Sequence, residues 1–382
     1  MKLSGRLALM FFVKQKRINT AGLKTILVNR ADRLGDAIIS LPLLLELGKR
    51  FDITVLTSQY NDSILKEFFK TRVIVDKPPS TPEFIRKIFS SLVSYGYLRR
   101  DKNAVPRYDI YLDLIGIRGL GTFLEIRKEN LCRYYIGFNI SVWSLLLDYS
   151  YRSSVELSGA NVVDAAQKLI KDSMGIGLNI PDYVDLGTKM ILPSGFEVRP
   201  PYILVNVAGF DKFRGPSAQM YARLINNLEF AGTFVIMDEL DQPNLGEFKR
   251  HIERKNVVYL EKNYSIWELL YISKNAVLYI GSNSGITNIL QVPTHCVIFL
   301  ATTSATVWNP FSKNPYQRKK IGRLIAEETT TSVGLMKKII YRPVWCRPCY
   351  DFGCKGARCI KGLEKESRNI AQEINKMIRY AR

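Results

Sequence analysis

The chain has 382 residues, of which 47% are hydrophobic and 11% aromatic, so it can bury a core and is not a disordered protein. Its length exceeds one ordinary α/β core and predicts two domains of roughly 100–200 residues each. Lys and Arg number 55 against 35 Asp and Glu, a formal charge of +20, which favours nucleic acid, anionic lipid or phosphorylated glycan as partner.

The N-terminal segment is apolar and basic. Its apolar run, Leu7 to Val13, is far shorter than the roughly 20 residues that span a bilayer, so no membrane crossing is expected there. Flanking Lys and Arg residues resemble the start of a signal peptide, but no small-residue cleavage site follows. Two interpretations stay open: a retained segment lying on the membrane surface, or a helix packed on the domain.

The first half begins as a doubly wound α/β sheet begins. A β-rich run, Lys24 to Asn29, is followed by a loop, Arg30 to Asp36, and an apolar helical stretch, Ala37 to Leu47. Further elements are expected as a helix near 63–69 and strands at 53–57, 72–75 and 108–114. Short connections between them predict parallel pairing.

A break between Leu186 and Pro201, rich in Gly, Pro and mixed polar residues, precedes a fresh strand, Tyr202 to Val207. We therefore place the domains at 1–186 and 187–382. The second half alternates again, with helices near 216–228, 246–254, 265–273 and from 285, and strands at 233–237, 257–260, 276–280 and 296–300. This predicts a second Rossmann-like domain, without evident sequence identity between the halves.

The C-terminal stretch, Leu363 to Arg382, places Ile370, Ile374, Met377 and Ile378 on a helical period. It predicts an amphipathic helix, and the first domain is one surface that this helix can cover.

The loop after the first strand is the first candidate site, because ligands of open α/β sheets bind beyond the carboxyl ends of the strands. Gly35 permits close approach, and the Asp36 carboxylate can accept a proton from an attacking hydroxyl. The alternative is that Asp36 only caps the following helix.

Two loops of the second half are candidates for binding phosphate. The loop Gly281 to Gly285 follows a strand and opens a helix, so its N–H groups can cradle a diphosphate, although such small polar residues also form ordinary turns. Lys212 can neutralise a departing diphosphate, or it is a solvated surface lysine. The chain has no Asp-x-Asp pair and two histidines, so a carboxylate-held metal is not supported.

The segment Arg30-Ala-Asp-Arg-Leu-Gly-Asp-Ala-Ile-Ile-Ser-Leu-Pro42 resembles the Arg-x-x-x-x-Gly-Asp-x-x-x-x-x-Pro opening of glycosyltransferase family 9, the ADP-heptose:lipopolysaccharide heptosyltransferases. Tyr279 to Asn288 resembles the family's donor-binding Asp-Ser/Thr-Gly-x-x-His segment, and Trp308-Asn-Pro310 its Trp-x-Pro. Asn283 stands where the family usually has Asp, and Asn288 where it usually has His.

This resemblance, over about Thr25 to Leu363, implies a GT-B fold: α/β, with two Rossmann-like domains and a cleft between them. It implies an N-terminal acceptor-binding domain, a C-terminal nucleotide-sugar-binding domain and Asp36 as catalytic base. The implied donor-binding residues are Lys212, Ser282, Asn283, Ser284, Gly285 and Asn288. The expected donor is a nucleotide sugar, ADP-heptose, with no cofactor required.

One basic segment and one cysteine-rich segment provide further candidate site residues. The acceptor-binding residues expected are Arg30, Arg33, Arg86, Lys87, Arg99 and Arg100, the last four interleaved with aromatic residues. Nucleic acid would also suit such a stretch, as would a solvated helix face. Near the C-terminus, Cys346, Cys349, Cys354 and Cys359 resemble the family's Cys-x-Pro-Cys and Arg-Cys pattern; no metal is expected, and zinc or iron–sulfur is the alternative.

The sequence thus predicts an inverting, metal-independent glycosyltransferase that moves heptose onto a lipopolysaccharide core acceptor. It is expected in the cytoplasm, peripheral on the inner membrane, with an anionic lipid-linked glycan as partner. The alternatives are a catalytically impaired relative, a transferase using another nucleotide sugar, and a basic nucleic-acid-binding protein with a Cys-rich module.

Overall fold

The computed structural model of the chain divides into two compact units, Met1–Ile180 and Pro181–Arg382, and each is treated separately. The structure describes residues 17–31, 34–74, 106–115, 120–138, 144, 146–151, 160–207, 215–238, 244–260, 263–346 and 358–381. The apolar segment predicted at Leu7 to Val13 lies outside them.

The first unit is built on one parallel sheet. Its described elements are β1 (Thr25–Asn29), α1 (Leu34–Gly48), β2 (Asp52–Thr57), α2 (Asp62–Leu65), β3 (Lys70–Val73), β4 (Tyr108–Asp113), α3 (Leu120–Lys128), β5 (Cys132–Gly137), β6 (Tyr149–Ser150) and α4 (Val162–Met174). The strand order is β3-β2-β1-β4-β5-β6, and every neighbouring pair is parallel. This is the Rossmann order, in which the crossovers reverse between β1 and β4.

The second unit repeats this plan and adds a hairpin. Its described elements are β7 (Tyr202–Asn206), α5 (Ala218–Asn226), β8 (Thr233–Met237), α6 (Asn244–His251), β9 (Val257–Tyr259), α7 (Ile266–Lys274), β10 (Leu278–Ser282), α8 (Gly285–Leu290), β11 (Cys296–Leu300), α9 (Ala305–Trp308), β12 (Gln317–Ile321), β13 (Leu324–Thr330), β14 (Met336–Tyr341), α10 (Arg358–Lys365) and α11 (Ser367–Ala381).

The described strands of this unit follow the order β12-β13-β14-β11-β10-β7-β8-β9. The six strands from β14 to β9 are parallel and again have the Rossmann order, whereas β12 and β13 pair antiparallel at one edge. The crossovers of this sheet reverse between β7 and β10. The prediction of two Rossmann-like α/β domains is confirmed.

A short internal repeat accompanies the shared topology. Residues 26–29 and 203–206 are both Ile-Leu-Val-Asn, at the ends of β1 and β7. Asn29 donates its amide to the Tyr111 hydroxyl of β4 over 2.9 Å, and the Asn206 side chain interacts with the Tyr279 hydroxyl of β10, whose pKa it lowers. The tyrosines hold equivalent places, since each is paired with the leucine of its repeat. The halves therefore share this four-residue run as well as the strand order.

The first strand of each sheet, β1 or β7, is a nearly continuous apolar and buried run. Such runs are expected in parallel sheets that are covered on both faces. In the first unit Tyr111, Phe123 and Tyr135 pack as a group, with ring centroids 5.8–6.2 Å apart. Helix α4 is bounded by local chemistry: Asn161 accepts from the Val163 amide at its start, and Gly175 ends it with φ +74°.

Two expectations about organisation differ from the structure. The predicted domain boundary after residue 186 falls inside the second unit, because Asp182 accepts hydrogen bonds from Ser332 and from the Lys313 amide. The predicted C-terminal helix is divided at Glu366 into α10 and α11, and the apolar face of α11 packs on α5 and the core of the second unit. Within the described residues, no helix is both long and apolar enough to cross a membrane.

Candidate functional site

The reversal of crossovers marks one ligand position in each sheet, because the loops after the two central strands diverge there and leave a crevice. In the first unit this position lies beyond Asn29 of β1 and Asp113 of β4, and in the second beyond Asn206 of β7 and Ser282 of β10. Both sequence-predicted loops, the one containing Asp36 and the one after Ser282, follow these strands.

Asp36 lies in the first turn of α1 and is 8% exposed. The positive end of the helix dipole lies at this turn. Helix α1 is continuous through Pro42, and the Ser40 hydroxyl donates to the carbonyls of Asp36 and Ala37. The structure thus holds Asp36 at the start of a helix next to the crevice.

Arg30 immediately follows β1 and is 2% exposed. Its guanidinium donates to the Leu114 carbonyl over 2.8 Å, beside a cavity of about 10 Å³ lined by residues of α1 and α4. The sequence predicts that Arg30 binds the acceptor, whereas the structure buries its guanidinium next to residues of α1 and α4.

The backbone of Arg30 is held by a neighbouring loop. Its N–H donates to the Leu56 carbonyl over 3.0 Å, and its carbonyl accepts from the Asn61 amide over 2.7 Å. Asn61 is fully buried and also accepts from the Ser58 N–H over 2.8 Å. One carboxamide therefore joins the loop after β2 to the loop that leads to Asp36.

In the second unit, Ser282 ends β10 in close contact with two other elements. Its hydroxyl is hydrogen-bonded to the Tyr221 hydroxyl of α5 over 2.8 Å. A Cβ on Gly215 would overlap the Ser282 hydroxyl, so only glycine allows the chain entering α5 to pass this close. Residues 208–214, which include Lys212, precede Gly215 in the sequence and lie outside the described residues.

A chain of hydroxyl groups fixes the start of α8. Ser284 caps the helix by accepting from the Thr287 N–H, and it donates to the Thr287 hydroxyl over 3.1 Å. Thr287 in turn bonds the Tyr279 hydroxyl over 2.8 Å. Gly281 leaves room for this contact, since a Cβ there would lie 2.5 Å from the Tyr279 oxygen. The predicted Ser284–Gly285 turn is thus a rigid helix start.

The two asparagines of this segment, Asn283 and Asn288, lie just after β10 and on α8. Asn283 donates its amide to the Thr303 hydroxyl over 2.9 Å, and its N–H donates to the Phe299 carbonyl. Asn288 is buried on α8, with its N–H donated to the Ser284 carbonyl. Neither side chain carries a charge, so neither adds to or screens the charge of a bound phosphate.

Two polar atoms close to the end of β11 have no hydrogen-bond partner in the described part of the chain. They are the Thr302 hydroxyl and the Trp308 indole N–H, both buried. Buried polar groups are nearly always paired in native proteins, so a partner for these two atoms must come from water, a ligand or residues outside the described ranges.

Burial determines the electrostatics of the hydroxyl groups. Burial raises the pKa values of Tyr221 and Tyr279 far above the ordinary value, although hydrogen bonds with Ser282 and Thr287 partly oppose this. Burial likewise raises the pKa of Tyr111 in the first unit. These hydroxyls stay neutral at physiological pH and act as hydrogen-bonding groups.

Several predicted residues lie outside the described residues: Arg33, Arg86, Lys87, Arg99, Arg100, Lys212, Cys349 and Cys354. Of the cysteine cluster the structure describes Cys346, which is half-buried, and Cys359, which is buried. In the described ranges no three His, Cys, Asp or Glu side chains come together as a metal site.

The structure adds residues that the sequence motifs did not indicate, namely Asn61, Asn206, Gly215, Tyr221, Thr302 and Thr303. The repeated Ile-Leu-Val-Asn run was a signal for Asn206. Tyr221 had none, because it reaches Ser282 across 61 positions of the sequence.

No protein-family model matches this sequence, and no curated protein is detectably similar to it. Solved structures with the same fold are similar at low identity. ADP-heptose LPS heptosyltransferase II of E. coli has a TM-score of 0.59 at 14% identity, covering 94% of this chain and 99% of its own. A glycosyl transferase family 9 protein of Veillonella parvula has a TM-score of 0.53 at 14% identity, covering 78% and 85%.

The heptosyltransferase WaaC of E. coli, solved with ADP-2-deoxy-2-fluoro heptose, has a TM-score of 0.51 at 15% identity, covering 76% of this chain and 91% of its own. The fold expected from the family 9 resemblance is therefore the fold that this chain has. At such identities the likeness concerns the fold alone.

Proposed function

We propose that this chain is an inverting glycosyltransferase of the family 9 type, which moves a sugar from a nucleotide sugar onto a lipopolysaccharide core acceptor. The proposal rests on where the two motifs lie in the sheets. The two motifs that resemble family 9 both follow central strands at the crossover reversals of Rossmann sheets. The solved proteins with this fold include heptosyltransferases, one of them bound to an ADP-heptose analogue.

In this proposal Asp36 is the general base that takes the proton from an acceptor hydroxyl. The deprotonated oxygen attacks the anomeric carbon of the donor, the bond to the diphosphate breaks, and the configuration inverts. The start of α8, from Ser282 to Gly285, would bind the departing diphosphate through N–H groups, with Lys212 supplying positive charge. Asn288 would contact the donor sugar, and no metal takes part.

The donor proposed is ADP-heptose, and the acceptor is an anionic glycan linked to lipid. Arg33, Arg86, Lys87, Arg99 and Arg100 would bind the acceptor's charged groups, and the buried Arg30 would support the loop that carries Asp36. The formal charge of +20 supports an anionic partner and action at the cytoplasmic surface of the inner membrane.

The decisive experiment is the Asp36→Asn variant, assayed with ADP-heptose and a heptose-free lipopolysaccharide core. Loss of a general base should lower kcat by about 10²–10⁴-fold, with the melting temperature and donor KM unchanged. Asp164→Asn is the matched control, because Asp164 also lies in the first turn of a helix but is exposed. Full activity in Asp36→Asn would show that Asp36 is not the base.

The second candidate is a relative that binds the nucleotide sugar without transferring it. Its motivation is Asn283, whose amide is already committed to Thr303, and the neutral Asn288. ADP binding without turnover in the wild type, together with turnover gained by Asn283→Asp/Asn288→His, would favour it. Tight DNA or RNA binding with a steep salt dependence would instead favour the nucleic-acid class.

A further inference from the structure

The first unit contains a basic cavity of about 570 Å³, and Asp36 is not among the described residues that line it. Its lining includes Arg17, Lys168, Lys171, Asp172, Tyr149 and Tyr151, and we call it the Arg17 cavity. We propose that the Arg17 cavity binds a phosphorylated ligand, either a sugar phosphate or a phospholipid headgroup. This inference does not depend on the proposed transferase activity.

The cavity is separate from the crevice near Asp36. It lies between the edge strand β6 and the C-terminal half of α4. Strands β4 and β5 stand between β6 and β1, the strand that Asp36 follows. A ligand here would not occupy the position of a reacting hydroxyl.

The charges on the cavity wall favour an anion. Lys168 forms an ion pair with Asp172 over 3.0 Å, so these two residues cancel. Arg17 and Lys171 form no ion pair with any residue that the structure describes. Two uncompensated cations facing one space attract a phosphate, which Arg can bind with two parallel hydrogen bonds.

Backbone contacts hold Arg17 at this position. The N–H of Ile18 donates to the Ser173 carbonyl over 2.7 Å, which fastens the segment to the end of α4. The Arg17 guanidinium rests over Gly175, where a Cβ would overlap it. Gly175 therefore serves two purposes: it ends α4 in the left-handed region, and it leaves space for the guanidinium.

The remaining wall suits a polar organic group attached to the phosphate. Tyr149 is buried and Tyr151 packs edge-on against Phe138, with ring centroids 5.5 Å apart. Fixed aromatic side chains offer flat contact surface at little cost in side-chain entropy. The volume lies in the range of about 300–1,000 Å³ that is usual for small-molecule sites.

The alternative is a purely structural role, in which Lys168 and Lys171 only complement the negative C-terminal end of the α4 dipole. That explanation accounts for the lysines on the helix. It does not account for Arg17, which comes from another segment and is seated on a glycine.

The test compares Arg17→Glu/Lys171→Glu with Lys66→Glu/Lys128→Glu, a control that changes the net charge equally at exposed lysines of the same unit. Binding of glucose 6-phosphate is measured by titration calorimetry, and binding to phosphatidylglycerol vesicles by co-sedimentation, with phosphatidylcholine vesicles as reference. Melting curves establish that each variant is folded.

We expect the Arg17→Glu/Lys171→Glu variant to lose at least tenfold in affinity for one of the two probes, while the control keeps at least half of the wild-type affinity. A loss confined to glucose 6-phosphate identifies a sugar phosphate, and a loss confined to vesicles identifies a lipid headgroup. Equal losses in both variants, or no binding of either probe by the wild type, would overturn the proposal. Because no arm measures sugar transfer, its result is independent of the Asp36 experiment.

Discussion

The carboxamide of Asn61 connects two loops at the carboxyl end of the first sheet, and its role can be separated from that of Asp36. Asn61→Ala leaves the Ser58 N–H and the Arg30 carbonyl without this partner, at a cost of about 1–3 kcal/mol for each buried group. If the contact positions the loop before α1, kcat for sugar transfer should fall about tenfold or more, with the donor KM unchanged.

Thr57→Val is the matched control for Asn61→Ala. It removes a hydrogen bond of the same turn, from the Thr57 hydroxyl to Asp62 over 2.9 Å, without touching the Arg30 loop. A similar fall in kcat for both variants would mean that general loosening of the turn, and not the Asn61 contact, lowers the rate.

Gly215 offers a residue-scale test of the donor half. Gly215→Ala would push a methyl group into Ser282, which Tyr221 holds in place, so the turn before α8 must shift. We expect ADP to bind at least tenfold more weakly, measured as the loss of thermal stabilisation at fixed ADP concentration.

The control is Gly177→Ala, since a Cβ at residue 177 would meet no atom within 4 Å. It should leave both the melting temperature and ADP stabilisation within error of the wild type. An ADP affinity that survives Gly215→Ala intact would place the nucleotide away from Ser282.

The site residues that the sequence predicts are those with a local signature. Asp36 and the Ser282–Gly285 turn lie where a strand passes into a helix, and a single stretch of sequence shows both elements. Tyr221 and Asn61 make their contacts across 61 and 31 positions, so their roles follow only from the folded chain.

At the scale of elements, α11 is tied to the edge hairpin through one carboxylate. Glu373 is 6% exposed and lies against Lys319 of β12, Lys338 of β14 and Lys376 of its own helix. Burial alone would raise its pKa, but hydrogen bonds from Lys376 and Lys319 and the charge of Lys338 lower the pKa to about 2.

A lowered carboxyl pKa stabilises the folded chain above the unfolded pKa of 4.5, and this stabilisation disappears as the pH falls from about 4.5 towards 2. Glu373→Gln should therefore lower the free energy of unfolding by on the order of 1–3 kcal/mol at pH 7. The difference from the wild type should shrink below pH 4, as measured by urea unfolding across the pH range.

Glu229→Gln is the control, because the Glu229 carboxylate is exposed and its one ion pair among the described residues is with Arg379, at 3.6 Å. Its effect should stay below about 0.5 kcal/mol at every pH. A pH-independent difference between Glu373→Gln and the wild type would assign the loss to packing.

Sequence patterns predicted many of the alternating strands and helices, but they gave no prediction for several elements, among them β5, β14 and α4. They also missed the hairpin of β12 and β13. The four residues Gln317 to Lys320 are all exposed, so β12 has no apolar alternation to indicate a strand. It is a strand because β13 supplies its hydrogen-bond partners, and its charges keep the free edge from pairing with other chains. Such an element depends on tertiary pairing rather than local pattern.

At the scale of the whole molecule, each unit has its own buried core, and the two should not unfold as one. Scanning calorimetry should resolve two transitions. If the nucleotide binds beyond β10, ADP should raise the temperature of one transition and leave the other unchanged.

The same scan on Gly215→Ala identifies the unit. The ADP-dependent shift should become smaller, while both transitions persist. A single transition that moves as a whole with ADP would show that the units unfold cooperatively.

Each sheet has an asparagine at the end of its first strand beside a tyrosine of the neighbouring strand, so the two halves share one polar pair where their crossovers reverse. Differences in their chemistry would then come from the loops that follow the central strands. These are the Arg30–Asp36 loop in one half and the Ser282–Gly285 turn in the other. A loop exchanged between the halves would therefore be attached to strands of the same order. The sheet of either unit is thus a suitable acceptor for a loop taken from the other unit.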